Sequence, residues 1–297
     1  MRISVMFALV LTACVTVGAQ SSSTEHDAVS NILTRMQSPA RSTRKAAFQE
    51  ILDLTSAGQI PKQPDTPETV NKLLDRNPNQ ADAVRVGLIN LLEIETTRIH
   101  ALHSLSRQVT DKGKTIASET TEAGLAGEDE YYPKLIGIVA ALEDERAIHA
   151  LLGAATTGGM ATRAVAKFGD KALGPTLDLL KDQDSMVRSS ALFTIRNMLK
   201  MHTLRETSST HSVDSILRAS LQDPAFIVRN SAISAIEYLP NREELVPILS
   251  DLAEHDEQRL VVDASVGVVY PVRLKAKRLL QKIANHEQRP VDADAVR

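Results

Sequence analysis

Tryptophan is absent from this chain of 297 residues, and aromatic residues make up only 3% of it. The core must therefore be assembled from Leu, Ile, Val and Ala, which suit closely packed helix pairs better than aromatic-lined ligand pockets. Cys14 is the single cysteine. No disulfide can form within the chain, so its stability rests on packing, and thiol catalysis is excluded beyond residue 14. Neither sign of charge is in large excess: 34 Lys and Arg against 37 Asp and Glu give a formal net charge of −3. That balance provides no overall basic field for nucleic acid.

Catalytic and metal motifs are missing too. Gly-x-Ser-x-Gly, His-Glu-x-x-His and Gly-x-Gly-x-x-Gly do not occur. Gly113-Lys114-Thr115 looks like the end of a phosphate-binding loop, but Gln108 stands where its first glycine is required. Ser42 and Lys45 fit the Ser-x-x-Lys of exported acyl enzymes, without the companion Ser-Asp-Asn and Lys-Thr-Gly. His100 and His103 have a metal-ligand spacing on a helix, and no third ligand is signalled. Glu145 and His149, four apart, read as a surface pair. The expectation is a chain with no catalytic residue, no metal ligand and no cofactor.

The N-terminus does carry a signal. Arg2 is followed by an apolar run over residues 5–19, too short to span a bilayer. Val17 and Ala19 place small residues at the −3 and −1 positions of a cleavage site. Residues 1–19 read as a signal peptide, and the protein as exported, periplasmic or secreted. Leu11-Thr12-Ala13-Cys14 also resembles a bacterial lipobox, which would tether the chain through lipid on Cys14. That reading ranks second.

What the remainder contains is one pattern, repeated. Val187-Arg188-Ser189-Ser190-Ala191 recurs as Val228-Arg229-Asn230-Ser231-Ala232 and as Val272-Arg273-Leu274-Lys275-Ala276. Weaker copies surround Arg44, Arg85 and Arg163. From Arg to Arg the steps are 41 (44 to 85), 78 (85 to 163), 25 (163 to 188), 41 (188 to 229) and 44 (229 to 273). A step near 40 with a fixed local pattern marks a helical solenoid. Valine and alanine of each copy lie four apart, on one helix face, and the alanine allows a neighbouring helix to approach closely. The arginine sits at the edge of that face, within reach of an acidic residue at the helix start such as Asp184.

Before each strong copy stands a leucine-rich helix and an aspartate-bearing corner, as in Leu177 to Asp184 and Ile216 to Pro224. In this respect residues 171–283 resemble HEAT repeats, particularly the short bacterial type also found in phycobilisome lyases. The resemblance implies an all-α, HEAT-like solenoid of about six helix pairs, with Asp and Arg residues bridging neighbouring repeats and second-helix faces lining a concave side. In the last copy the corner is expanded over residues 254–270 and its aspartate signature is blurred. Valine, arginine and alanine of the strong copies (Val187, Arg188, Ala191, Val228, Arg229, Ala232, Val272, Arg273, Ala276) are expected to be structural repeat positions.

The chain divides accordingly. Residues 25–110 read as degenerate N-terminal helical pairs, 111–130 as an irregular insert rich in Gly, Thr and Glu, 131–284 as the repeat array and 285–297 as a polar tail. The function expected is non-catalytic protein–protein binding in the cell envelope, with protein partners and no nucleic acid. Contacts would fall on exposed second-helix residues, around Arg196, Lys200 and Glu237. Two other readings compete: an envelope enzyme or enzyme subunit with a site near the 111–132 insert, and a structural lipoprotein anchored at Cys14.

Overall fold

The computed structural model describes residues 27–56, 74–75, 78–112, 128–157, 159–205, 207–263 and 267–287. Residues 1–19, read as a signal peptide, the polar tail beyond residue 287, the centre of the insert and the segment opening at Thr66-Pro67 lie outside these. The chain forms two units, residues 1–150 and 151–297. The fold class is all-α, a HEAT-like α-solenoid built from stacked helices; among the described residues the exception is one short hairpin.

In the first unit, α1 (residues 27–36) buries Val29, Ile32 and Met36, a stripe at the spacing of one helix face. Ser38 turns the chain, its hydroxyl accepting from the Ala40 amide at 3.2 Å, and α2 (Arg41–Ser56) follows. Ala47, Phe48, Ile51 and Leu52 form its buried face. α3 (Ala81–Lys112) runs for 32 residues. Val84, Leu88, Leu91 and Leu92 point inward from it, and Gly87 lets α1 pass: a Cβ there would stand 2.6 Å from Leu33 Cδ2. α3 packs against α4 (Glu128–Ala141), which buries Tyr131, Tyr132, Leu135, Ile138 and Val139. The residues read as an insert are therefore helical at both ends, since α3 extends to Lys112 and α4 begins at Glu128. Asp144 accepts from the Arg146 amide and starts a 3₁₀ turn, Glu145–Ala147, that leads into α5 (Ile148–Ala155).

The second unit begins within α5. It contains α6 (Gly159–Ala166), α7 (Asp170–Leu179), α8 (Ser185–Lys200), α9 (Thr207–Ser220), α10 (Phe226–Ile236), α11 (Val246–His255) and α12 (Pro271–Glu287). These helices form two layers. α6, α8, α10 and α12 stack side by side, each against the next, as the B layer. α7, α9 and α11 each cover the B helix that follows them in sequence. The core lies between the layers, with Leu192, Ile195 and Met198 of α8, Val213 and Leu217 of α9, and Ile233 and Ile236 of α10 all buried. One helix cannot cover an apolar face this wide; stacking does so repeat by repeat.

Two details set the corners. Gly169, which ends the turn after α6, has φ +56° and ψ −129°, a region almost reserved for glycine. The expanded last corner forms a two-stranded antiparallel hairpin, β1 (Leu260–Asp263) with β2 (Gly267–Val269), pairing Leu260 with Val269 and Val261 with Val268, with a bulge before Asp263. The helical reading missed this hairpin. Its signal was present: Leu-Val-Val and Val-Gly-Val-Val flank a short polar link, a strand–turn–strand composition.

Candidate functional site

The first two strong copies of the repeat pattern build the same arginine clamp, while Arg273 of the third keeps one carbonyl bond and lies over the Tyr270 ring at 4.3 Å. Arg188 donates from Nε and Nη2 to the two carboxylate oxygens of Asp223, both at 2.9 Å, and from Nη1 to the carbonyls of Asp182 and Gln183. Arg229 repeats it, with Asp256 as the carboxylate at 2.8 and 3.1 Å and the carbonyls of Asp223 and Pro224 as the other acceptors. Asp223 is therefore held twice: its carboxylate by the arginine of the preceding repeat, its carbonyl by that of its own. Asp256 is held the same way, since Arg273 Nε donates to its carbonyl at 2.6 Å. Both aspartates also accept the amide two residues on, from Ala225 and Gln258, fixing the corner as an Asx turn. Burial alone would push the Asp223 carboxyl up, but hydrogen bonds from Arg188 and the Ala225 amide outweigh it and hold the group below its ordinary pKa.

This geometry corrects one expectation. The carboxylate that takes both Arg188 donors is Asp223, in the next repeat, while Asp184 caps α8 by accepting from the Met186 amide at 2.8 Å. The aspartate signature that looked blurred in the last copy is Asp256. It lies 17 residues before Arg273 rather than six because the hairpin is inserted between them.

The other repeat positions fall as follows. Ala191, Val228, Ala232, Val272 and Ala276 are buried at 1% exposure or less, and Val187 is half-buried. In the first unit, Arg44 reproduces the clamp, with Nη1 on the carbonyls of Ser38 and Pro39 and Nε on Glu95 at 2.7 Å. Arg85 lies close enough to Asp144 to help lower its pKa, after the larger effect of the Arg146 hydrogen bond. Arg163 is exposed on α6.

Glu95, a turn or so before His100 and His103 in sequence, is a buried ionisable group whose partners sequence reasoning did not find. Its carboxylate is fully covered, accepts from Arg44 and Arg98, and has the Tyr131 hydroxyl at 3.4 Å. A carboxylate so enclosed is held by its arginines. The one available signal was its place on the inward face of α3, three residues after Leu92. The remaining motif residues do not converge. Lys45 lies over the Tyr131 ring at 5.9 Å, Glu145 and His149 are both exposed, and His100 is half-buried, while the His103 side chain and Gly113-Lys114-Thr115 lie outside the described residues. Among the described residues no group of three His, Cys, Asp or Glu is placed to hold a metal ion, and no helix is long and apolar enough to cross a membrane.

The solvent side of the B layer has a different character. A groove of about 420 Å³ runs between α6 and α8, lined among others by Thr162, Arg163, Met186, Phe193 and Arg196, and closed by Ile227 of α10. Phe193 is 39% exposed and Met186 37%. Asn197 donates across the groove to Thr162 at 3.0 Å. Further along, two of the three residues named from sequence share one ring. Arg196 and Lys200 lie over the ring of Tyr238, at 5.3 and 5.8 Å from its centre, and Glu237 beside it binds Lys282 at 2.7 Å. Lys275 lies close enough to Arg196 and Glu237 to feel both charges; burial first, and Arg196 second, lower its pKa. A second groove, of about 580 Å³, lies between α7 and α9 on the opposite layer, around Leu177, Ile216 and Ala219.

No family model and no curated protein matches the chain. Solved structures similar to it include designed proteins. A designed armadillo repeat protein in complex with the peptide (KR)4 is 18% identical, over 84% of this chain and 97% of that one, at a TM-score of 0.36. An engineered protein is 16% identical, over 86% and 96%, at 0.37. A computationally designed armadillo repeat protein for modular peptide recognition is 18% identical, over 84% and 98%, at 0.35.

Proposed function

We propose that this chain is a non-catalytic protein-binding scaffold of the cell envelope, and that the solvent side of its B layer is the binding face. The observation that carries the reading is the α6–α8 groove, where Phe193 and Met186 stand open to solvent beside Arg196. Other large apolar residues of the second unit are exposed as well, Met160 and Leu274 among them, but an aromatic ring open to solvent within a concavity favours an interaction site. The repeat arginines belong to the frame, since Arg188 and Arg229 are engaged on every side. Glu95, the buried carboxylate nearest the insert, is held by two arginines, which favours the scaffold over an enzyme with a site there.

Export rests on residues 1–19, whose charge, apolar run and small-residue site come in the order of a cleaved signal. Lipid on Cys14 is the competing outcome. Expression in a bacterial host, followed by fractionation and intact-mass measurement of the mature chain, separates them: a chain beginning at Gln20 supports the soluble exported form, a lipidated Cys14 the tethered one, and an uncleaved cytosolic chain neither.

The binding reading is tested by a photo-crosslinking residue placed at Phe193 and, as a control, at exposed Asp178 on α7, in cells of the native host. A discrete crosslinked protein from position 193 and none from 178 is expected. Crosslinks from 178 alone would move the site to the other layer, and none from either would remove the scaffold reading.

A further inference from the structure

Charge is sorted between the two layers of the second unit. α6, α8, α10 and α12 contain no Asp or Glu before Glu287, the last residue of α12. The A helices hold Asp170 and Asp178, Asp214, and Asp251 with Glu254. Arg188 and Arg229 of the B layer are engaged in the clamps, and Arg273 in its carbonyl bond and over the Tyr270 ring. That leaves Arg163, Arg196, Lys200, Lys275, Lys277, Arg278 and Lys282, and the carboxylate set among them is Glu237, which already accepts from Lys282. Arg196 Nε is buried without a hydrogen-bond partner, and Arg196 and Lys200 share one tyrosine ring. Like charges gathered this closely repel one another. In a chain whose formal net charge is −3, this patch is a local feature, and an anion placed on it relieves the repulsion.

On the reading that the B layer binds protein, we infer that its partner is an extended acidic segment with one apolar side chain. The apolar side chain enters the groove over Phe193, Met186 and Ile227. Carboxylates of the segment lie along Arg163, Arg196, Lys200 and Lys275. Neighbouring helices in such a layer are about 8–10 Å apart, and an extended chain advances about 3.3 Å per residue, so acidic residues roughly three apart meet the cations of α6 and α8, and one roughly six further on passes α10, whose arginine is in the clamp, and reaches Lys275 of α12. The apolar groove is what selects a peptide over a nucleic acid. A phosphate backbone satisfies the cations and offers no aliphatic side chain to fill a concavity floored by Phe193.

The test is a fluorescence-anisotropy titration of the full chain with labelled probes at near-physiological salt. The first is a Gly/Ser-based peptide of about twelve residues with Glu at every third position and a central Leu. The others replace Glu by Lys, replace Leu by Ser, or are single-stranded oligothymidine of the same negative charge. The expected result is that the Glu/Leu peptide binds at least roughly tenfold tighter than each of the others. Lys200→Gln and Phe193→Ser should each weaken it several-fold at unchanged melting temperature; Lys200 is exposed, so its variant folds even where Arg196→Gln does not. Equal binding of the Lys peptide, or equal binding of the oligonucleotide, overturns the inference. Selection from a random peptide library on the same chain tells the two failures apart. Peptides that depend on Phe193 but show no acidic bias remove the acidic partner and keep peptide binding, whereas a library that yields no binder removes both.

Discussion

The guanidinium of Arg188 holds both carboxylate oxygens of Asp223 at 2.9 Å, across 35 residues and from one repeat to the next. Both side chains are 14% exposed, so the pair is shielded from water far better than an ordinary surface ion pair. With Asp182 and Gln183 supplying the remaining acceptors, the clamp ties three pieces of backbone together: its own corner, its own helix and the next corner.

Removing one partner should expose how much the stack relies on it. Arg188→Ala leaves a part-buried carboxylate and two carbonyls without their donor, at an expected cost of about 2–4 kcal/mol. Urea unfolding followed by circular dichroism reads the loss. A double-mutant cycle with Asp223→Ala should return a coupling of about 1–3 kcal/mol. Crosslinking through position 193 should persist in folded Arg188→Ala; if it vanishes at unchanged stability, the arginine belongs to the binding site.

The same pair sets a pH dependence. The Asp223 carboxyl is held below its ordinary value, so it binds a proton less readily folded than unfolded. Its contribution is fully present above the unfolded pKa, near 3.9, and is lost as pH falls from there through the depressed folded value. Stability measured between about pH 5 and 2 should therefore fall less steeply for Asp223→Asn than for the parent chain. Equal slopes would mean that the pair is not formed in solution.

Gly169 makes a sharper case. Besides its φ of +56°, a Cβ there would stand 2.3 Å from the Thr203 carbonyl oxygen, which is backbone and cannot swing aside. Gly169→Ala is expected to destabilise by about 2–3 kcal/mol or more, read as a lower melting temperature. An unchanged melting temperature would contradict the close approach of this turn to the end of α8.

Glu95 tests the first unit. Its side chain is fully buried against Arg44 at 5% exposure. Glu95→Ala leaves that arginine buried and unpaired, at about 3–5 kcal/mol. Replacing both by apolar residues, Arg44→Met with Glu95→Leu, should recover most of the loss. If the double variant is no better than the single one, the pair does more than hold two helices together.

Much of this was legible along the chain. The spacing of Val29, Ile32 and Met36, or of Val84, Leu88 and Leu91, gives helix and inward face together, because a helix face is a local property of order and period. The Val-Arg-x-x-Ala copies gave the repeat and its phase. Arg196, Lys200 and Glu237 were named as exposed second-helix positions, which the resemblance puts on one side of the array. The hairpin was legible in composition and was passed over because the surrounding period was helical.

What the sequence by itself determined, then, is the helices, their buried faces and their repetition, all of which depend on residues within a turn or two of each other. The tertiary structure decided the pairings. Asp184 and Asp223 are both candidates for Arg188 along the chain, and the choice of Asp223 follows from how far one repeat is displaced against the next. Glu95, 51 residues from Arg44, becomes its partner because α3 passes beside α2. The cationic face likewise required knowing which helices stack, since charges on separate helices act together only when packing brings them within a Debye length, about 8–10 Å in ordinary salt.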